Sequence, residues 1–175
     1  MQIETDKNGR VTGRTTGTTA RGITIADPPA NALDGDFVFV NGQLSESVED
    51  FKVVRQREIN DQLTDRLGRG LEWTVNGTTF TVQTRQQDKP NLLGLYLKAN
   101  KLITVDGTPD ATLSFRDGEN VTRSLTATQM IELTEAALAF IEAQMAQAWS
   151  LKDTISDPAT STVSEVEAIV WPSAT

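Results

Sequence analysis

The chain contains no cysteine and no histidine. Without them there is no disulfide framework, no zinc site built on thiolate or imidazole, and no Ser-His-Asp or Cys-His nucleophile. Carboxylate pairs, lysine chemistry and oxygen-ligated Ca²⁺ or Mg²⁺ are what remain. Aromatic residues are scarce, at 6%, and hydrophobic residues reach only 38% of 175. That content supports one core, or one compact domain with appendages, rather than two independent cores. Long apolar runs are missing as well. No stretch approaches the ~18 residues of a membrane span, and the polar start MQIETDKNGR has no signal-peptide h-region. The expectation is therefore no membrane span.

Charge is plentiful but unevenly spread around a net −8. Residues 126–175 hold seven acids against the single base Lys152, a local balance of −6. Residues 71–125 hold six of each sign. No basic stripe emerges, so a nucleic-acid partner is not expected.

Residues 1–45 are rich in Thr and Gly. Ile23-Thr24-Ile25 alternates, Pro28-Pro29 interrupts, and Phe37–Val40 before Asn41-Gly42 reads as a strand entering a tight turn. Thr favours strands and the Ile and Phe/Val runs need burial. A β-rich arm that docks by strand addition is favoured over an idle terminus. Residues 46–70 read as a charged linker helix. Ser45 or Ser47 caps it, Val48, Phe51, Ile59, Leu63 and Leu67 share a face, and Gly68 stops it. The mixed charges mark a solvated face, although so narrow an apolar stripe also suits an oligomeric seam.

Residues 71–157 read as an α+β domain. Its first hairpin carries Trp73, Val75, Phe80 and Val82 and turns at Asn76-Gly77, because a type I′ turn needs positive φ at both central residues. A helix over about Pro90–Ala99 has Leu92, Leu93, Leu95, Tyr96 and Leu97 to bury. A second hairpin, Ala111–Phe115 and Val121–Leu125, turns at Asp117-Gly118. The longest helix spans 126–155. Thr126 and Gln129 have capping-box spacing. Met130, Leu133, Ala137, Phe140, Ile141, Met145, Ala148 and Trp149 form a broad apolar face centred on Phe140, while Glu132, Glu135 and Glu142 line a polar side. Residues 158–175 form a short helix and tail: Thr162 and Glu165 repeat the capping box, the helix covers Val163–Val170, and Trp171-Pro172 closes it. The fold class is α+β: a small antiparallel hairpin sheet packed on a long C-terminal helix, with an N-terminal β-arm and a separate charged helix.

The segments VNGTTF, RQQDKPNLLG, LSFRDGENVTRSLT and LTATQ follow one another in that order. The series resembles the DUF4376-type domain of small bacteriophage tail-associated proteins over roughly Val48–Ile155. The motifs are structural, so the resemblance implies a virion context and no reaction. It implies a structural component at the tail tip or fibre attachment, with other tail proteins as partners. A homotrimer or tail-symmetric ring, located in the virion after assembly in the host cytoplasm, fits that context. A fibre-assembly chaperone and a host-glycan-binding or glycan-cleaving module are the alternatives.

Four places resemble sites. Asp34, Asp36 and Asn41 with Gly35 and Gly42 offer oxygen ligands, but lack the alternate spacing and terminal Glu of a calcium loop. Asp106, Asp110 and Asp117 read as turn residues before a glycosidase pair. Gly9, Gly13 and Gly17 lack the Gly-Lys-Ser/Thr and the strand–loop–helix setting of a phosphate loop. Trp73, Trp149 and Trp171 read as core or interface anchors before sugar platforms. The expectation is no catalytic, cofactor or metal site, and no enzyme.

Overall fold

A computed structural model describes residues 2–8, 10–15, 22–24, 37–40, 43–45 and 47–172. By internal contacts the chain divides into two compact units, one of residues 1–61 with 148–175 and one of residues 62–147. The architecture is α+β, with a 22-residue helix α1 (Val48–Arg69) and a 30-residue helix α3 (Ala127–Ser156).

In the second unit Asn76 and Gly77 take φ of 51° and 75°, as a type I′ turn requires. They join β6 (Leu71–Val75) to β7 (Thr78–Val82), with Trp73 opposite Phe80. The two rings meet edge-on at 5.7 Å. Helix α2 runs from Lys89 to Thr104, longer than the sequence suggests. Pro90 sits in its first turn, where a missing N–H does no harm. β8 (Thr112–Arg116) and β9 (Thr122–Thr126) form the second hairpin. Its loop bends at Asn120, with φ of 64°, rather than at Gly118.

Neither hairpin can bury its apolar face alone, since two strands are marginal in water. The segment 127–147 of α3 supplies the cover. Ala127, Met130, Leu133, Ala137 and Ile141 form a cluster with Phe80, Val82, Leu92, Ala99, Leu113, Phe115 and Leu125. The helix starts at a formed capping box: Gln129 N–H donates to Thr126 Oγ1 at 3.2 Å, and Thr126 N–H donates to Gln129 Oε1 at 3.0 Å. Glu132, Glu135 and Glu142 are exposed, as expected. Phe140 is not the centre; it is only partly buried, while the adjacent Ile141 and Leu133 are fully covered. The two positions differ by about 100° around the helix.

In the first unit β1 (Gln2–Thr5) lies between β2 (Val11–Thr15) and β3 (Gly22–Thr24) in an antiparallel sheet. β4 (Val38–Val40) pairs with β5 (Gln43–Ser45), and Arg10 bridges to Val38. A separate apolar cluster joins Val38, Val40, Phe51, Val54 and Val166, the last from α4 (Val163–Ala168). α4 has the predicted Thr162/Glu165 capping box but ends two residues early. Hydrogen bonds from Gln56 to Ser156 and from Lys152 to Asn60 run α1 antiparallel to α3 in this unit.

α1 begins with the Ser47 carbonyl accepting from Phe51 N–H. Its stop is Gly70, not Gly68. Gly70 takes φ of 81°, and a Cβ there would lie 2.5 Å from the Val82 carbonyl oxygen.

Leu133→Ala and Ile141→Ala should each destabilise the chain by roughly 2–5 kcal/mol in urea unfolding. Glu142→Ala should change stability by no more than about 0.5 kcal/mol. Gly70→Ala should cost about 1–3 kcal/mol from strain alone.

Candidate functional site

A groove of about 500 Å³ lies in the second unit. One wall is α2, through Pro90, Gly94, Leu95 and Lys98; the other is β8, through Ser114, Phe115 and Arg116. Leu92 and Phe115 are buried at its apolar base. Asp88 also lines it, but its carboxylate accepts from Arg85 N–H at 3.0 Å and Arg85 Nε at 2.9 Å. That pair tightens the turn before α2. On α2, Leu93 and Leu97 are 51% and 59% exposed, so two of the leucines expected to be buried face solvent instead. Val105, at the helix end, is 72% exposed.

The β8–β9 loop is organised by Asp117, whose side chain is completely covered. Oδ1 accepts from the amides of Glu119 at 3.0 Å and Val121 at 2.8 Å. Oδ2 accepts from Arg123 Nε at 2.8 Å. Arg123 in turn lies 5.1 Å from the Phe80 ring centroid. Burial pushes the Asp117 carboxyl up. The Val121 amide, the Arg123 guanidinium and the Glu119 amide outweigh it and hold the group below its ordinary value. Asp106 pairs with Lys101 at 3.0 Å, and Asp110 is an exposed turn residue. These acids therefore serve turns, as their sequence positions suggested.

In the first unit Glu58 is the hub of an ion network. Arg10 Nε donates to Oε1 at 2.6 Å and Arg55 Nη1 donates to Oε2 at 2.7 Å. Arg10 also reaches Glu167 at 2.6 Å. Arg55 holds the carbonyls of Glu167 and Ile169, each at 2.8 Å. Burial raises the Glu58 pKa, but the bonds from Arg10 and Arg55 prevail and lower it. Arg55 and Glu58 are three residues apart on one helix, but nothing local in the sequence marks Arg10 and Glu167 as partners, which lie 157 positions apart.

Asp34, Gly35, Asp36, Asn41 and Gly42 lie outside the described residues, as do Gly9 and Gly17; Gly13 lies in β2 opposite Glu4. Among the described residues no group of three or more Asp or Glu is arranged to hold a metal ion, and no helix is long and apolar enough to cross a membrane. Trp73 is a partly buried anchor on Phe80 and Trp171 is partly buried. Trp149 is 55% exposed, which corrects its placement on the apolar face.

A family profile described as "Domain of unknown function (DUF4376)" matches residues 50–170. The chain belongs to this family. No curated protein and no solved structure matches it significantly.

Both depressed carboxyls have folded pKa values below their unfolded values of about 4. Their stabilisation is complete above that pH and is lost as pH falls through the folded values. The melting temperature should hold from pH 7 to about 5 and drop below about pH 4. Asp117→Asn should lower it at pH 7 and flatten the acid limb in a pH series of thermal melts.

Proposed function

We propose that the chain is a non-catalytic structural component of a bacteriophage tail, at the tail tip or a fibre attachment, working through protein–protein interfaces. The observation that carries the interface reading is the solvent-facing apolar side of α2. Leu93 and Leu97 stand one turn apart there, with Val105 just past the helix end, and the same helix walls the groove described above. Scattered single leucines need no explanation, but a helix that buries one apolar side and displays another suits contact with a neighbour. The engagement of Asp117, Asp106 and Asp88 by nearby cations and amides also favours a structural role for these carboxylates. The tail context rests on the ordered motifs, from VNGTTF to LTATQ, that resemble tail-associated proteins. Self-association as a trimer or tail-symmetric ring belongs to the same reading.

One observation favours a second reading. The exposed indole of Trp149 is the kind of surface that stacks on a sugar face. A glycan array comparing wild type with Trp149→Ala separates the two, because binding lost with the indole supports a glycan module.

Mass spectrometry of purified virions tests the main proposal. A structural component is present at a fixed ratio to the other tail proteins. Absence from finished particles, with association to tail fibres only during assembly, indicates the fibre-assembly chaperone instead.

A further inference from the structure

The hydrogen-bond phase of the second hairpin leaves one strand edge open on the groove. Asp117 N–H donates to the Val121 carbonyl at 3.0 Å, and at the other end Ala127 N–H donates to the Ala111 carbonyl at 2.9 Å. With the register Leu113↔Leu125 and Phe115↔Arg123, residues 113 and 115 are the ones whose backbone groups bond β9. Thr112, Ser114 and Arg116 therefore turn their N–H and C=O groups away from β9. The sheet ends there: β8 has β9 as its sole strand neighbour among the described residues. Among the described residues, no backbone bond from a turn or loop reaches these three. Ser114 and Arg116 also line the groove facing α2.

The first hairpin has a covered edge by the same strand parity. The two-residue turn places Thr81 in a non-bonded pair with Glu72, so its carbonyl points outward. There it accepts the Gly118 N–H at 2.7 Å. The β7 edge is thus closed at this rung by the β8–β9 loop, while the β8 edge is left with matching groups and space beside it.

We propose that this edge receives an extended, acidic segment of a partner protein by strand addition, between β8 and α2. Two backbone rungs, at Ser114 and Arg116, hydrogen-bond the incoming chain, and Thr112 supplies a third at the end of the strand. Alternate side chains of the segment turn toward Leu95 and Phe115 at the base of the groove. The charge of the site selects acidic residues for the others. Asp88 is neutralised by Arg85. Among the described residues, Lys98 is exposed and makes no ion pair, and the Arg116 guanidinium is bonded only to the neutral Asn120, through its Oδ1 at 2.8 Å and its carbonyl at 3.1 Å. Two cations without carboxylate partners therefore flank an apolar floor. Gly94 keeps the α2 wall low: nothing lies within 4 Å of the place a Cβ would occupy.

This inference rests on the reading of the chain as an interaction protein, and adds to it the site and the kind of partner. The test is a selection from a random 12-residue peptide library against the full-length chain, with the affinities of enriched peptides measured by fluorescence anisotropy. Enriched peptides should be rich in Asp and Glu and should shift the Ser114 and Arg116 amide resonances. Ser114→Pro removes an outward N–H that the β8–β9 ladder does not use, and should weaken binding by roughly tenfold. Lys98→Glu, on an exposed helix position, should weaken it by a similar factor at low salt and less at high salt, and it keeps the test valid if the proline variant does not fold. Peptides that bind both variants as tightly as wild type, enrichment of basic peptides, or no enrichment over the chain-free control would each overturn the proposal. So would a concentration-dependent dimer lost in Ser114→Pro, since it makes a second copy the occupant. Failure of the interaction reading looks different: the chain would then be missing from both assembled virions and tail-assembly complexes, whereas failure of this site alone leaves the chain in them with contacts at other residues.

Discussion

The second unit depends on one constraint. Two separate two-stranded hairpins each carry an apolar face that neither can bury by itself. The segment 127–147 of α3 resolves this by placing Met130, Leu133, Ala137 and Ile141 against Phe80, Val82, Leu113, Phe115 and Leu125. The alanines keep the helix surface low where strands approach. The capping box at Thr126, the residue after the buried Leu125, fixes the helix start at Ala127, so strand and helix enter the same core without a linker.

Polar side chains then finish what apolar packing leaves open. Asp117 gathers the amides of a five-residue loop and ties them to Arg123 on the returning strand. Asp88 does the same for the turn before α2. In the first unit Glu58 joins Arg10 and Arg55, and through them Glu167 and the backbone of the C-terminal tail. Each is a charge-assisted arrangement, and each holds segments that have little apolar surface of their own. Among the described residues, Lys98 and Arg116 have no carboxylate partner beside the open strand edge.

Local signals were readable in the chain. Asn76-Gly77 announced its turn, Thr126 with Gln129 and Thr162 with Glu165 announced their caps, and the α+β order followed from the switch in periodicity. Positions that depend on rotation or on distant partners were not readable. Periodicity marks Phe140 and Ile141 as neighbours on one stripe, but the strand side chains facing them decide that Ile141 is the covered one. Gly68 reads as the stop in the sequence, but the approach of Val82 demands a residue without Cβ at position 70, and the helix runs on to Arg69. Leu93 and Leu97 looked like core because a leucine-rich run carries no sign of which face meets solvent. The Arg10–Glu58–Glu167 network has no local spacing at all. The open edge of β8 required the ladder phase, which depends on where the loop closes and not on residue type.

Native-state hydrogen exchange on the full-length chain tests the central claim most directly. If α3 is the shared cover, the slow amides of α3 around residues 130–141 and the β9-bonded amides of β8 should exchange through one opening event with a common free energy, and the β7 amides should join them. Hairpin amides opening more than about 2 kcal/mol below those of α3 would contradict the account, because the strands would then be appended to the helix and not folded with it.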